Sequence, residues 1–231
     1  MIEQKIVILT GAGISAESGI DTFRASGGLW ENHRIEDVAT PQGFAANPAL
    51  VHEFYNARRR ALESASPNPA HDALARLQKS AAHDVFIVTQ NVDDLHERAG
   101  STVHHMHGEL LSVKCAACDW QWESRLDIDI TTRCPACQTR AAVRPDIVWF
   151  GEMPYGMEKI EGRLAACDLF VSIGTSGAVY PAAGFVQMAK AFGAQTLEIN
   201  LDPSEGSAFF DETRRGKAGR LVPDWVDEIL S

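Results

Sequence analysis

The chain has 231 residues, 45% hydrophobic and 23% charged, which fits a globular protein with one core and room for a small attached module. Its 31 acidic side chains outnumber 21 basic ones, and the net charge of −10 argues against a nucleic-acid partner while permitting basic, lysine-bearing proteins. No apolar run approaches the roughly 18 residues of a membrane span. Met1-Ile-Glu-Gln-Lys5 enters a strand so directly that no signal peptide, no membrane partner and a cytoplasmic location are expected.

Ile6 to Leu9 is a short β-branched run that reads as a buried parallel strand. Gly11-Ala12-Gly13-Ile-Ser15-Ala16 follows at once and fits the relaxed dinucleotide fingerprint, in which glycines permit φ > 0 and close backbone approach to a phosphate at a helix N-terminus. A tight strand–helix turn with no ligand accounts for the same residues. No second strand with an acidic end comes next; the chain passes through Gly19, Phe23, Arg24, Gly27 and Gly28, the pattern of a loop covering a ligand.

Pro48 to Ser64 reads as a helix, and Ala70 to Leu77 as a second after the breaker Pro67-Asn-Pro69. Asp84 to Asn91 is a buried strand, Asp93 to Arg98 a helical turn stopped near Gly100, and Val103 to Glu109 a histidine-rich segment. Residues 111–146 hold four cysteines and little apolar periodicity, and Val148 to Glu152 returns to the core. Asp168 to Thr175 and Gln195 to Asn200 are strands with a helix from Pro181 to Phe192 between them, and Pro223 to Leu230 is a closing amphipathic helix. The strands end in Thr10-Gly11, Gln90-Asn91, Gly174-Thr175-Ser176 and Asn200. In open α/β sheets ligands bind beyond such carboxyl ends, so these tips are expected to line one site.

Cys115-x-x-Cys118 and Cys134-x-x-Cys137 form the C-x2-C-x15-C-x2-C pattern of a four-cysteine zinc ribbon, a closed and therefore structural site, with disulfides or free thiols as the alternative. His107, in His105-Met-His-Gly-Glu109, suits proton transfer near neutral pH, although spacing alone does not choose it over His104 or His105. Tyr55 and Arg58, at i and i+3 on one helix, project from the same face and offer a hydroxyl and a guanidinium fork to a carboxylate. From residues alone, a packed tyrosine beside the solvated run Arg58-Arg-Arg60 is the better explanation, since surface charge runs are usually solvated.

The string Gly-Ala-Gly-x-Ser…Gly-Ile…Phe-Arg, together with Gln90-Asn-Val-Asp93, His107-Gly, the two cysteine pairs, Val148-Trp-Phe-Gly-Glu152, Gly174-Thr-Ser176 and Asn200-Leu-Asp202, resembles the sirtuins, NAD-dependent protein deacylases, in order along nearly the whole chain. The resemblance implies a Rossmann-like α/β parallel sheet domain over residues 1–110 and 147–231, with a helical insertion near 25–65 and a zinc module over 111–146. It makes His107 the catalytic base and places NAD against Gly11, Ala12, Gly13, Ser15, Ala16, Phe23, Arg24, Trp30, Gln90, Asn91, Asp93, Gly174, Thr175, Ser176, Asn200, Leu201, Asp202 and Ala218. Phe23 and Arg24 would enclose the reacting ribose, Asn91 hold that ribose, and Asp93 the nicotinamide amide. Val148 and Phe150 would contact the substrate, their segment pairing with a peptide by β-augmentation.

Thr22 stands where sirtuins at large often carry Asp, and Tyr55-x-x-Arg58 resembles the carboxylate reader of the desuccinylase-type branch. The implied activity is removal of acetyl, succinyl and malonyl groups from protein lysines. The acyl oxygen would attack the nicotinamide ribose carbon as nicotinamide leaves. His107 would then deprotonate a ribose hydroxyl, which attacks the bound acyl carbon, and the products would be free lysine, nicotinamide and O-acyl-ADP-ribose. An NAD-dependent ADP-ribosyltransferase, or a non-enzymatic zinc-ribbon binding module, are the alternatives.

Overall fold

The computed structural model describes residues 4–20, 29–30, 33–80, 82–140 and 142–231, with main chain only at 29–30. Phe23, Arg24 and Thr22 lie outside the described residues, as does the side chain of Trp30. In chain order the elements are β1 (Gln4–Thr10), β2 (Leu29–Trp30), β3 (His33–Arg34), α1 (Ile35–Val38), α2 (Pro41–Ala46), α3 (Pro48–Ala61), α4 (Pro69–Lys79), β4 (His83–Thr89), α5 (Leu95–Ala99), β5 (Val103–His105), β6 (Gly108–Cys115), β7 (Gln121–Glu123), β8 (Val143–Ile147), α6 (Met157–Leu164), β9 (Leu169–Ile173), α7 (Phe185–Ala191), β10 (Gln195–Asn200), β11 (Glu212–Arg215) and α8 (Ala218–Leu230).

Six strands form one sheet in the order β11-β10-β9-β1-β4-β5, all pairings parallel. Alternation along β1 assigns the two faces. Ile6 and Ile8 pack with Leu74, Leu77, Val222 and Trp225 of α4 and α8, whereas Val7 and Leu9 pack with Ile160, Leu164, Phe185 and Val186 of α6 and α7. Strands buried on both faces read as continuous apolar runs, which is why they are visible in the sequence. The chain winds outward from β1 through β4 to β5, then crosses back to β9 and winds the other way, so the reversal of strand order lies between β1 and β9. A third cluster joins Val51, Phe54 and Tyr55 of α3 to Leu110, Ile147 and Trp149, and a fourth small one gathers Val113, Ile128 and Val143 around Cys115 and Cys134. The three-stranded sheet β7-β6-β8 carries that last cluster.

Several boundaries differ from the sequence reading. The first helix ends at Ala61, and the run Pro181–Phe192 is helical in α form only from Phe185. The last helix begins at Ala218 and continues through Pro223, because burial of Val222, Trp225 and Val226 outweighs the one main-chain bond that proline cannot donate. Asn68 explains the breaker at 67–69: its carbonyl oxygen caps α4, accepting from Ala70 N at 2.9 Å, with Pro69 in the first turn, while its amide donates to Ile14 O (2.7 Å) and Ser18 Oγ (2.9 Å). After β1 the chain forms two 3-10 turns, Ala12–Ile14 and Ala16–Ser18, so among the described residues the glycines lead directly into 3-10 turns and not into an α-helix.

Those glycines are required by an internal contact as well. Gly11 has an extended φ of −127°. A Cβ on Gly13 would lie 2.7 Å from Gly174 Cα and 2.8 Å from Gly174 O, both main-chain atoms, and Gly174 itself has φ +64°. Gly13→Ala should therefore push the tips of β1 and β9 apart, costing about 1–3 kcal/mol as overpacking does. At about 2–4 °C per kcal/mol for a chain this size, thermal melting should fall by several degrees; an unchanged melting temperature would remove the crossing from the account.

Candidate functional site

A cavity of about 330 Å³ opens beyond the carboxyl ends of β1 and β4. Its wall includes Ala12, Tyr55, Arg58, Gln90, Asn91, Asp93, His107, Val148, Trp149, Phe150 and Glu152. Segments separated by more than a hundred residues in sequence thus face one space, as the polar strand tips predict.

Ser15 ties the floor together. Its hydroxyl donates to Asp93 Oδ2 and receives the Asn91 amide, both at 3.0 Å, while Asp93 Oδ1 accepts from Leu95 N at 3.1 Å. Burial pushes the Asp93 carboxyl above its ordinary pKa, opposed by the bonds from Leu95 and Ser15. Beneath, Thr89 Oγ1 accepts from Thr10 Oγ1 (2.8 Å) and from Asn91 N (3.0 Å), fixing where the β4 tip turns.

Three histidines close in sequence have different surroundings. His104 Nε2 bonds Tyr155 O at 3.0 Å, away from the cavity wall. His105 bonds Asn91 O through Nδ1 and Glu97 through Nε2, both at 2.9 Å; burial opposes its charge, but the Glu97 bond and carboxylate raise its pKa overall. His107 lines the cavity, and its pKa is lowered by burial, with the bond to Gln90 O opposing. A carbonyl only accepts, so His107 donates from Nδ1 to Gln90 O at 3.2 Å, and the neutral ring keeps its lone pair on Nε2.

The remaining nucleotide candidates surround the strand-order reversal. Gly11 and Gly13 touch Gly174; Asn200 Nδ2 donates to Thr175 O at 2.7 Å; Ser176, Leu201 and Asp202 are exposed beyond β9 and β10. Ala16 is exposed after the first 3-10 turn, and Ala218 is buried at the start of α8, next to Gly219, whose N–H donates to Glu17 at 2.8 Å. None of these borders the cavity itself.

The three consecutive arginines of α3 do three different things. Arg58 lies over the Phe54 ring, 4.2 Å from its centroid, and lines the cavity with Tyr55. Arg59 is buried and donates to Leu110 O (3.0 Å) and Asn56 Oδ1 (2.7 Å). Arg60 pairs with Glu53 and Asp127 at the surface. The basic run is thus not one solvated face.

The segment Val148–Glu152 corrects the sequence reading. The strand is Val143–Ile147, and the residues after it form a turn closed by Glu152 N donating to Trp149 O. Val148 N donates to His107 O, Phe150 N to Ala39 O and Trp149 N to Glu152, all at 2.9 Å. These three N–H groups are therefore committed within the chain; Val148 and Phe150 both line the cavity. Strand alternation would turn Trp149 away from any surface shared by Val148 and Phe150. The turn breaks that alternation, and Trp149 joins them in the wall, a residue that sequence reasoning missed.

The four paired cysteines bring their sulfurs within 4.8 Å of one another, with Cys115–Cys137 and Cys118–Cys134 at 3.7 Å. A disulfide needs about 2.05 Å. A tetrahedron with Zn–S bonds of about 2.3 Å has edges of about 3.8 Å, so the thiols fit one zinc ion. The knuckles match in detail: Asp119 N bonds Cys115 O and Gln138 N bonds Cys134 O, both at 2.9 Å, with positive φ at Asp119 (56°) and Gln138 (62°). Asn56 of α3 clamps this module by donating to Ile128 O (2.8 Å) and accepting from Ile128 N (3.1 Å). Among the described residues no helix is long and apolar enough to cross a membrane.

A model of the Sir2 family matches residues 11–181. An NAD-dependent protein deacylase of Pasteurella multocida is 56% identical over 98% of both chains. A solved Sir2 homologue–NAD complex superposes with TM-score 0.89 at 40% identity, covering 97% of this chain and 89% of that one. A Sir2 protein bound to an acetylated peptide superposes with TM-score 0.84 at 26% identity, covering 98% and 94%.

With all four positions taken by thiolates, zinc at this site would hold the module together and leave no position for water. Cys134→Ala should reduce zinc from one ion per chain to near none by elemental analysis. Loss of a structural metal exceeds about 4 kcal/mol, and at about 2–4 °C per kcal/mol the melting temperature should fall by roughly 10 °C. Full thermal stability after zinc removal would contradict this.

Proposed function

This chain belongs to the Sir2 family, and from that premise we propose that it is an NAD-dependent protein-lysine deacylase acting on acetyl-, succinyl- and malonyl-lysine of other proteins. The observation that carries the reading is the meeting, in one cavity, of Asn91, Asp93 and His107 from the strand tips with Tyr55 and Arg58 from α3.

The residues fit NAD. A buried carboxylate and amide, locked by Ser15, suit the nicotinamide ribose half. The cavity's size suits that half together with an acyl chain, leaving the adenosine half to Gly174–Ser176, Asn200, Leu201 and Asp202 outside it. When bound, NAD supplies a ribose carbon that releases nicotinamide and takes the acyl oxygen. Asp93 orients the nicotinamide amide and Asn91 the ribose. His107 Nε2 takes the proton of a ribose hydroxyl, its Nδ1 held by Gln90 O so that the basic lone pair stays on Nε2. Val148 and Phe150 flank the lysine stem, and the apolar wall excludes water that would otherwise hydrolyse NAD. Arg58 and Tyr55 receive an acidic acyl terminus, the first by a charge-assisted bond.

In this reading residues 1–110 with 147–231 are the nucleotide-binding domain and 111–146 the zinc module. The cytoplasm, where four thiols stay reduced for zinc, is its location. A net charge of −10 supports basic protein substrates and no nucleic-acid partner.

Mass spectrometry of acetyl-, succinyl- and malonyl-lysine peptides with and without NAD tests the reading. Free lysine and O-acyl-ADP-ribose formed only with NAD are expected; ADP-ribose left on protein, or NAD hydrolysis without deacylation, would overturn it. His107→Ala should lower turnover of every acyl peptide by about 10²–10⁴-fold. Because its pKa is lowered, His107 stays neutral as pH falls through 6.5, so the acid limb of kcat/KM should have its midpoint below 6.5; a midpoint above that value would move the assignment. A hydrogen bond to a charged group is worth roughly 1.5–3 kcal/mol, so Arg58→Met should cut kcat/KM for succinyl-lysine by roughly ten- to a hundredfold. Most deacetylation should survive, and equal losses on both peptides would remove the carboxylate-reading role.

A further inference from the structure

Trp149 is 2% exposed and stands in the cavity wall between Tyr55 and the Arg144–Glu152 ion pair. Three of its contacts bear on the site. Its main-chain N–H donates to Glu152 Oε2 at 2.9 Å. The Arg144 guanidinium lies over its ring, 3.3 Å from the centroid, and is itself held by both Glu152 oxygens at 2.7 and 2.9 Å. Its indole Nε1 donates to the Tyr55 hydroxyl oxygen at 3.0 Å. An indole N–H can only donate, so Tyr55 must turn a lone pair toward Trp149 and its own hydrogen elsewhere. Burial raises the pKa of Tyr55 above its ordinary value, so the hydroxyl keeps that hydrogen at any working pH.

We propose that Trp149 is a positioning residue for acyl specificity: its indole N–H polarises and orients the Tyr55 hydroxyl so that Tyr55 donates to the carboxylate of an acidic acyl chain beside Arg58. This rests on the reading of Tyr55 and Arg58 as the carboxylate receptor. The same anchor solves a charge problem, because Glu152 also borders the cavity and would repel an acidic acyl group. The bidentate pair with Arg144 offsets that charge while holding Trp149 in place. An acetyl group carries no distal carboxylate and gains nothing from either effect, so Trp149 bears on the choice between acyl chains and not on the common chemistry.

Two replacements test this: Trp149→Phe, and 3-benzothienylalanine at the same position, which keeps both fused rings and lacks only the N–H. Each should lower kcat/KM for succinyl-lysine by about two- to tenfold, the worth of one neutral hydrogen bond, chiefly through KM. Acetyl-lysine should stay within twofold. In a Tyr55→Phe background neither replacement should change the succinyl-to-acetyl ratio further, because the bond no longer exists. Equal losses on both peptides, or an undiminished ratio change in the Tyr55→Phe background, would overturn the proposal as a packing effect. Arg58→Met separates the two levels. If it and Tyr55→Phe shift the ratio while neither Trp149 replacement does, this inference alone fails; if Arg58→Met leaves the ratio unchanged, the carboxylate-receptor reading fails and takes this inference with it.

Discussion

At the tips of β1 and β9 the main chain of Gly13 passes against that of Gly174 so closely that neither position has space for a Cβ. Gly13 N donates to Gly174 O at 2.9 Å and Gly11 N to Ile173 O at 3.0 Å, so the loop leaving β1 is stitched to the neighbouring strand at the point where strand order reverses. That crossing sets where Ser15 lies, and Ser15 in turn sets Asn91 and Asp93. A parallel sheet brings its carboxyl ends to one edge in any case. What this chain adds is a main-chain contact tight enough to fix the relative height of two of those ends.

The polar groups that result are buried, and burial of that kind is tolerated only when partners are in place. Asp93 has Ser15 and Leu95 N; Thr89 has Thr10 and Asn91 N; His96 Nε2 lies 3.0 Å from Thr10 Oγ1. His71 and His96, ring to ring at 4.9 Å, have pKa values lowered by burial to about 4 and about 3. Both are neutral in the fold and would accept protons first when unfolded, so they withdraw stability as pH falls from about 6.5 toward 4. The site is thus supported from below by hydrogen-bonded groups and two neutral histidines, and the arginine and glutamate charges enter from α3, β8 and the turn after it. The cavity is lined from two directions: by the strand tips on one side and by α3 and Trp149 on the other.

Much of this was legible in the sequence because it follows from local rules. Apolar runs ending in polar residues mark β1, β4, β9 and β10, and the cysteine spacing defines a tetrahedral site before any coordinates. Other features depend on tertiary contacts that leave no periodic signal. The glycines at 11 and 13 read as a phosphate loop, and their close approach to Gly174 leaves no mark in the sequence. Arg58, Arg59 and Arg60 look alike in sequence and separate only when Leu110 O, Asp127 and the cavity are in place. Trp149 carries no local signal of its own, since the turn closed by Glu152 follows a strand end that the sequence does not mark. The continuation of α8 through Pro223 likewise needs α4 opposite it to be understood.

The proposed chemistry requires one cavity to join NAD and an acylated lysine before His107 acts. Exchange of isotopically labelled nicotinamide into NAD tests it directly, because nicotinamide release needs the acyl oxygen in place but not the base. Exchange that requires an acylated peptide and persists in His107→Ala, while lysine release is lost, is the predicted result. Exchange without any acylated peptide, or its disappearance together with lysine release in His107→Ala with the fold intact, would contradict the account.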